Sequence, residues 1–226
     1  MLHRQTVRRA MGEARADVLD AVRRALGRSG GSDAAAEATI DRGYDRQLPS
    51  DVDPVTMFVE RCGEYRATMV RVPASDLAAA VRRELAAANA QVVVHPHDVF
   101  QVAPWRPSGD VELVADGPAG RIDVDELDAC DAVVTGCALA VAETGTIVLD
   151  TGLGQGRRAL TLVPDRHFCL VRTDQIVGTV AEALARLDPS RPLTWISGPS
   201  ATSDIELERV EGVHGPRNLT VFVYDD

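Results

Sequence analysis

The sequence predicts an α/β fold: a mostly parallel, twisted sheet between helices, preceded by an N-terminal helical arm. Two observations predict it. From about residue 53, short apolar runs such as Ala132-Val-Val-Thr135 and Phe168-Cys-Leu-Val171 alternate with amphipathic stretches of helical period. Strands that are apolar on both faces need cover on both faces, which a parallel sheet under two layers supplies. The chain also has 226 residues, 45% of them hydrophobic and 26% charged. That is enough for one large domain with its own core, without disulfide or metal staples. Several connections are too short for crossover helices, so a mixed sheet is expected.

Residues 1–28 read as a helix, with Val18, Val22 and Leu26 recurring every four residues and Leu19 beside them. This arm is basic, with seven arginines against Glu13, Asp17 and Asp20. Gly30-Gly31-Ser32 and the following Ala/Asp/Glu run read as a linker. The expected division is an arm with linker over 1–50 and an α/β domain over 51–226. A helix then carries Val55, Phe58, Val59 and Cys62 on one face, and Thr68-Met-Val-Arg-Val72 is a strand. Ser75 is placed to cap a helix with Leu77, Val81 and Leu85 inward. Gln91-Val-Val-Val94 is a buried strand ending at His95-Pro96, and an irregular, proline- and glycine-rich stretch surrounds an edge strand at Val111–Val114. Further strands are expected at 132–135, 146–149, 159–163, 168–171, 193–196 and 219–223. A helix with Ile176, Val180, Leu184 and Leu187 inward separates the fourth of these from the fifth.

Composition narrows the chemistry. All 24 basic residues are arginine. That excludes a Schiff-base lysine and a Walker A phosphate loop. A net charge of −10 argues against a nucleic-acid binder. Cys62, Cys130, Cys137 and Cys169 form no Cys-x-x-Cys pair, so an iron–sulfur cluster or structural zinc held by this chain is not expected, and the thiols read as buried and free. The N-terminus has no apolar signal core and no run is long enough to span a membrane, so a cytoplasmic location is expected.

Four segments can carry chemistry. In Thr135-Gly-Cys-Ala-Leu-Ala-Val-Ala-Glu-Thr-Gly-Thr146 a strand ends at Gly136, a short apolar turn follows, and Glu143-Thr144-Gly145 leads into the next strand. Ligands in open α/β sheets bind beyond the carboxyl ends of strands, which suits this connection. Glu143 reads two ways: as a buried base or nucleophile, or as a carboxylate accepting backbone N–H bonds in a turn, with Gly145 supplying a special backbone geometry. Gly152-Leu-Gly-Gln-Gly-Arg-Arg158 offers backbone donors and guanidinium forks to an anion, or is a solvated loop. In Ser197-Gly-Pro-Ser-Ala-Thr-Ser-Asp-Ile-Glu206, Ser203 and Glu206 match a capping box, and the hydroxyl-rich loop suits an anion. In Glu211-Gly-Val-His-Gly-Pro216, His214 stands between glycines, free to approach a ligand or to bond backbone. His95 and His97, lacking a third ligand nearby, make a poor metal site.

These segments in this order resemble the LutC/YkgG family of lactate-utilisation proteins, the LUD domain. The residues carrying the resemblance are Gly136–Leu149, the Gly156-Arg157 loop before Leu162-Val-Pro164, Ile196–Glu206 and Gly212-Val-His-Gly-Pro216. The resemblance covers about residues 53–226. It implies a fold like that of NagB, RpiA and the CoA transferases. It also implies an accessory role in oxidising L-lactate to pyruvate with two iron–sulfur partner proteins that hold the clusters this chain lacks. Relatives usually carry an acid two residues after the glycine where this chain has Gly136-Cys137-Ala138, so that carboxylate is missing here. Glu143-Thr144-Gly145 also resembles the Glu-x-Gly turn of CoA transferases. That gives an alternative: a free-standing transferase or isomerase acting on an acyl-CoA or sugar phosphate through Glu143.

The expected site is a pocket for a small carboxylate or other anionic metabolite. In it Arg157 pairs with the carboxylate, Glu143 orients or deprotonates, and His214 donates from the opposite wall. Gly136, Thr144, Gly145, Gly156, Gly198, Ser200, Thr202, Asp204 and Gly215 are expected to line it.

Overall fold

A computed structural model describes residues 16–26, 46–103, 105–106, 111–203, 209–211 and 214–225, with backbone alone at 201–203 and 209–211. The chain divides into two compact units, Met1–Tyr44 and Asp45–Asp226. In the first, residues 16–25 form helix α1; the remainder of the helix expected over 1–28 lies outside the described residues.

The second unit begins with helix α2 (Pro54–Glu64). Asp53 caps it, its carboxylate accepting from Val55 N, Thr56 N and the Thr56 hydroxyl, while Pro54 fits the first turn, where no N–H is needed. Strand β1 (Thr68–Pro73) follows, then helix α3 (Leu77–Ala87). Ser75 does not cap α3: its hydroxyl donates to Asp76 Oδ1, and a 3-10 turn, Ala74–Asp76, precedes the helix. Strands β2 (Val92–Pro96) and β3 (Glu112–Asp116) come next. Helix α4 (Val124–Asp128) starts at an Asp123/Glu126 capping box.

Next come β4 (Ala132–Thr135), β5 (Leu139–Val141), β6 (Thr146–Leu149) and β7 (Arg166–Arg172). The strand expected at 159–163 is instead a 3-10 turn, Arg158–Thr161, closed by Leu162 N and Val163 N bonding back to Ala159 O. The stretch expected to be a plain turn after Gly136 contains β5, which hairpins onto β6. Ile176 is not helical. Ile176–Val177 is strand β8, and helix α5 (Val180–Arg186) begins only after a Thr179/Glu182 capping box. Strands β9 (Thr194–Ile196), β10 (Ala201–Ser203), β11 (Arg209–Glu211) and β12 (Asn218–Asp225) complete the chain. Ser203 thus ends a strand, and the residues its capping box needs, 204–206, lie outside the described set.

Six strands form a sheet in the order β1-β12-β7-β4-β2-β3, parallel throughout. The mixing expected within one sheet is segregated: antiparallel pairs occupy a second sheet, β8-β5-β6-β9, and the β10–β11 ribbon. Side-chain alternation explains the continuous apolar runs. Phe168 and Leu170 of β7, with Phe222 and Tyr224 of β12, meet α3 and Trp105 on one face. Cys169, Val171, Val221 and Val223 meet α2 and the second sheet on the other. The second sheet is double-faced too, with Ala140 and Ile147 toward the main sheet and Leu139, Val141 and Val148 grouped with Ala183 of α5. No helix among the described residues is long and apolar enough to cross a membrane.

Candidate functional site

The sequence-predicted residues fall into four surroundings rather than one pocket. Glu143 sits in the β5–β6 turn and is exposed, not buried. Its N–H donates to Gly178 O at 3.1 Å and its Oε1 accepts from Val180 N at 2.7 Å, so the carboxylate ties down the start of α5. Beside it, Thr144 Oγ1 donates to Thr146 Oγ1, which bonds Ser197 Oγ at 2.7 Å. Gly145 adopts φ +58°, its N–H donates to Ala142 O, and its carbonyl accepts from Cys62 Sγ. Of the alternatives open from the sequence, this is the turn in which the carboxylate accepts backbone N–H.

The second surrounding lies past β2 and β3. Arg157, extended at φ −83° and ψ 156°, reaches Asp116. Its Nε donates to Asp116 Oδ2 at 3.0 Å and its Nη2 to Oδ1 at 2.9 Å and to the Ile122 carbonyl. Burial pushes the Asp116 carboxyl up, but bonds from Arg157 and Ile122 N and the guanidinium charge outweigh it and hold the group below its ordinary range. Gly156 and Arg157 both line a cavity there. Gly136 lines a third space, at the ends of β4 and β7.

The fourth surrounding gathers the remaining described motif residues. Ser197–Ser200 after β9, the return His214–Pro216, the Arg158–Thr161 turn, and His167 and Leu219 at the starts of β7 and β12 enclose a cavity of about 210 Å³. Gly198, at φ +85°, allows the first loop to lie against Tyr65: a Cβ there would stand 2.7 Å from Tyr65 Cβ and 2.8 Å from its carbonyl oxygen. Ser200 N donates to Pro216 O and Ser200 Oγ accepts from His214 N, which locks the two loops together. Gly215 lines the same cavity. Thr202 lies in β10 with its side chain undescribed, and Asp204 falls outside the described residues.

Two residues of this cavity were not among those expected to line the pocket, although Arg158 belongs to the arginine pair of the Gly152–Arg158 loop. Arg157 is extended and Arg158 opens the 3-10 turn, so the two side chains diverge: Arg157 turns to Asp116 while Arg158 faces the cavity. Arg158 Nη1 donates to Thr161 O at 2.8 Å and Thr161 Oγ1 at 3.0 Å, and Nη2 to His214 O at 3.3 Å. These acceptors are all neutral, and burial lowers the guanidinium below its ordinary value. The other residue is His167, 1% exposed, whose Nε2 shares a 2.7 Å hydrogen bond with Thr135 Oγ1. Burial first, and the Arg158 charge second, push its pKa down to about 4. The imidazole is therefore neutral at physiological pH. The signals available were Arg158 adjoining a glycine-rich loop and a lone histidine opening an apolar strand, and neither identifies a site by itself. Among the described residues no group of three or more His, Cys, Asp or Glu side chains is arranged to hold a metal ion. His95 is buried, its Nδ1 bonding Pro96 O.

The depressed His167 value has a measurable consequence. Between pH 6.5 and about 4 the unfolded chain takes up a proton at this residue that the folded chain refuses, so stability falls as pH drops through that window. Urea unfolding at pH 7 and pH 4.5 is expected to show wild type losing about 2 kcal/mol more than His167→Gln. Equal losses would place the charge change elsewhere.

Comparison with known proteins agrees with the motifs. Residues 55–224 match the family model of the LUD domain. The chain is 50% identical over 170 residues to "Lactate utilization protein C" of Deinococcus radiodurans, covering 74% of this chain and 77% of that one. It is 24% identical over 191 residues to the Bacillus subtilis protein of the same name, covering 77% and 79%. A crystal structure of a DUF162 family protein from Deinococcus radiodurans matches with a TM-score of 0.62 and 40% identity, over 76% of this chain and 96% of that one.

Proposed function

The chain belongs to the LUD domain family, and from that premise we propose that it acts in lactate utilisation, as an accessory subunit of a system oxidising L-lactate to pyruvate. Two iron–sulfur proteins act as its partners and carry the electrons. In this reading the subunit binds the small carboxylate in the Arg158 cavity.

The observation that carries the assignment of the site is Arg158: a partly desolvated guanidinium, bonded to neutral acceptors, in a cavity of about 210 Å³. A charge-assisted bond to a carboxylate is stronger in such surroundings than in water. The Ser200 and Thr161 hydroxyls supply further polar contacts. His167, neutral and steadied by Thr135, accepts a hydrogen bond from a 2-hydroxyl. His214 closes the exposed side. Glu143 is engaged at the start of α5, which favours this reading over a transferase with a glutamate nucleophile.

The test replaces the chromosomal copy with Arg158→Gln and follows growth on L-lactate as sole carbon source. Growth is expected to fail while the purified variant keeps the wild-type circular dichroism spectrum. In parallel, lactate is expected to raise the thermal midpoint of wild type but not of the variant. Normal growth together with an unchanged lactate response would remove the assignment.

A further inference from the structure

A cavity of about 420 Å³ opens at the carboxyl edge of the six-stranded sheet, floored by Gly136–Leu139 leaving β4 and by the ends of β7 and β12. It has no lining residue in common with the Arg158 cavity. Three arginines line it, Arg172, Arg186 and Arg191, with two carboxylates, Asp150 and Asp174. Arg191 Nη1 pairs with Asp150 Oδ2 at 2.7 Å and Arg172 Nε with Asp174 Oδ1 at 2.6 Å. Arg186, at the end of α5, has no ion-pair partner among the described residues, so the cavity carries its surplus positive charge there.

The polar lining is fixed before any ligand arrives. Asp150 Oδ1 accepts from Gly152 N and Gln155 Nε2, both at 2.9 Å, which steadies the carboxylate that orients Arg191. Gln175 accepts from Arg172 N and donates to Cys137 O, bracing the wall between β4 and β7. Leu153, 52% exposed, supplies an apolar surface at the rim. The volume falls within the roughly 300–1,000 Å³ of small-molecule pockets, and the position is the crevice where open α/β sheets hold ligands.

We propose that this cavity binds an organic phosphate monoester of nucleotide size, its head against Arg186 and Arg191 and its apolar body over Leu153. Guanidinium forks match a phosphate bidentately, and a dianionic head uses the surplus charge better than a monocarboxylate does. The site is independent of the lactate reading.

Calorimetric titration of the full chain with AMP and with phenyl phosphate tests it. Saturable binding of both is expected, tighter for AMP. Arg186→Gln, at an exposed position, is expected to weaken AMP about tenfold without moving the thermal midpoint. Leu153→Asp, which sets a negative charge at the rim, is expected to weaken it likewise. Arg158→Gln should leave AMP binding unchanged. Absence of saturable binding by either probe at millimolar concentration overturns the proposal, as does wild-type AMP affinity in both rim variants.

Discussion

Replacing Gly145 with alanine is expected to lower the unfolding free energy by roughly 3–5 kcal/mol, among the largest single-residue losses a domain shows. The backbone there sits at φ +58°, a conformation that costs a residue with a Cβ about 1 kcal/mol. The greater loss is steric. An added Cβ would stand 2.8 Å from Arg61 C and 2.8 Å from Cys62 N, main-chain atoms of α2 that no rotamer change moves. Helix α2 would have to lift, and it buries Phe58 and Cys62 against the sheet. Urea unfolding measures the loss. Gly120→Ala is the reference, since nothing lies within 4 Å of a Cβ there, and it should change stability by less than about 0.5 kcal/mol. Matching midpoints for the two variants would mean that the β5–β6 turn and α2 are not held in contact.

Arg157→Ala carries the second large effect. Asp116 is 5% exposed, and removing its guanidinium partner leaves a buried charge with the Ile122 N–H as its remaining bond, a loss of about 3–5 kcal/mol. Adding Asp116→Asn to that variant is expected to recover part of the loss, because a neutral amide tolerates the site better than an unpaired carboxylate. The sign with pH follows from the lowered Asp116 value. The pair's stabilisation is complete above the ordinary carboxyl value of 3.8 and fades as pH falls through the lowered folded value. The gap between wild type and Arg157→Ala should therefore narrow in acid. A gap that stays constant from pH 7 to pH 3 would show that the loss is one of packing rather than charge.

The architecture was legible wherever burial on both faces left an unbroken apolar run, as at Ala132–Thr135 and Phe168–Val171. It failed where short apolar stretches carry no period. Ala159–Val163 reads as a strand, yet Thr161 Oγ1 bonds Arg158 O and the backbone folds back on Ala159, making a turn. Leu139–Val141 was hidden because its partner lies across a tight turn whose only sequence mark is Gly145. Ile176 shares the helical stripe of α5 but precedes the Thr179/Glu182 cap, the signal that fixes the true start. In the site, the serine–glycine and histidine–glycine loops were legible by composition. The choice between Arg157 and Arg158 was not, because the pair straddles the step from extended backbone into a 3-10 turn, and only Asp116, distant in sequence, decides which one is taken.

The placement of β12 has a bearing on how the molecule is made. This strand is the latest of the six in sequence, yet it lies inside the sheet between β1 and β7. During vectorial synthesis β1 leaves the ribosome early and waits unpaired until Thr220–Asp225 emerges to bond it. Between the emergence of these two strands the nascent chain exposes an open edge, which a holding chaperone can bind. Trimming the final eight-residue strand would cut the sheet in two rather than fray its rim.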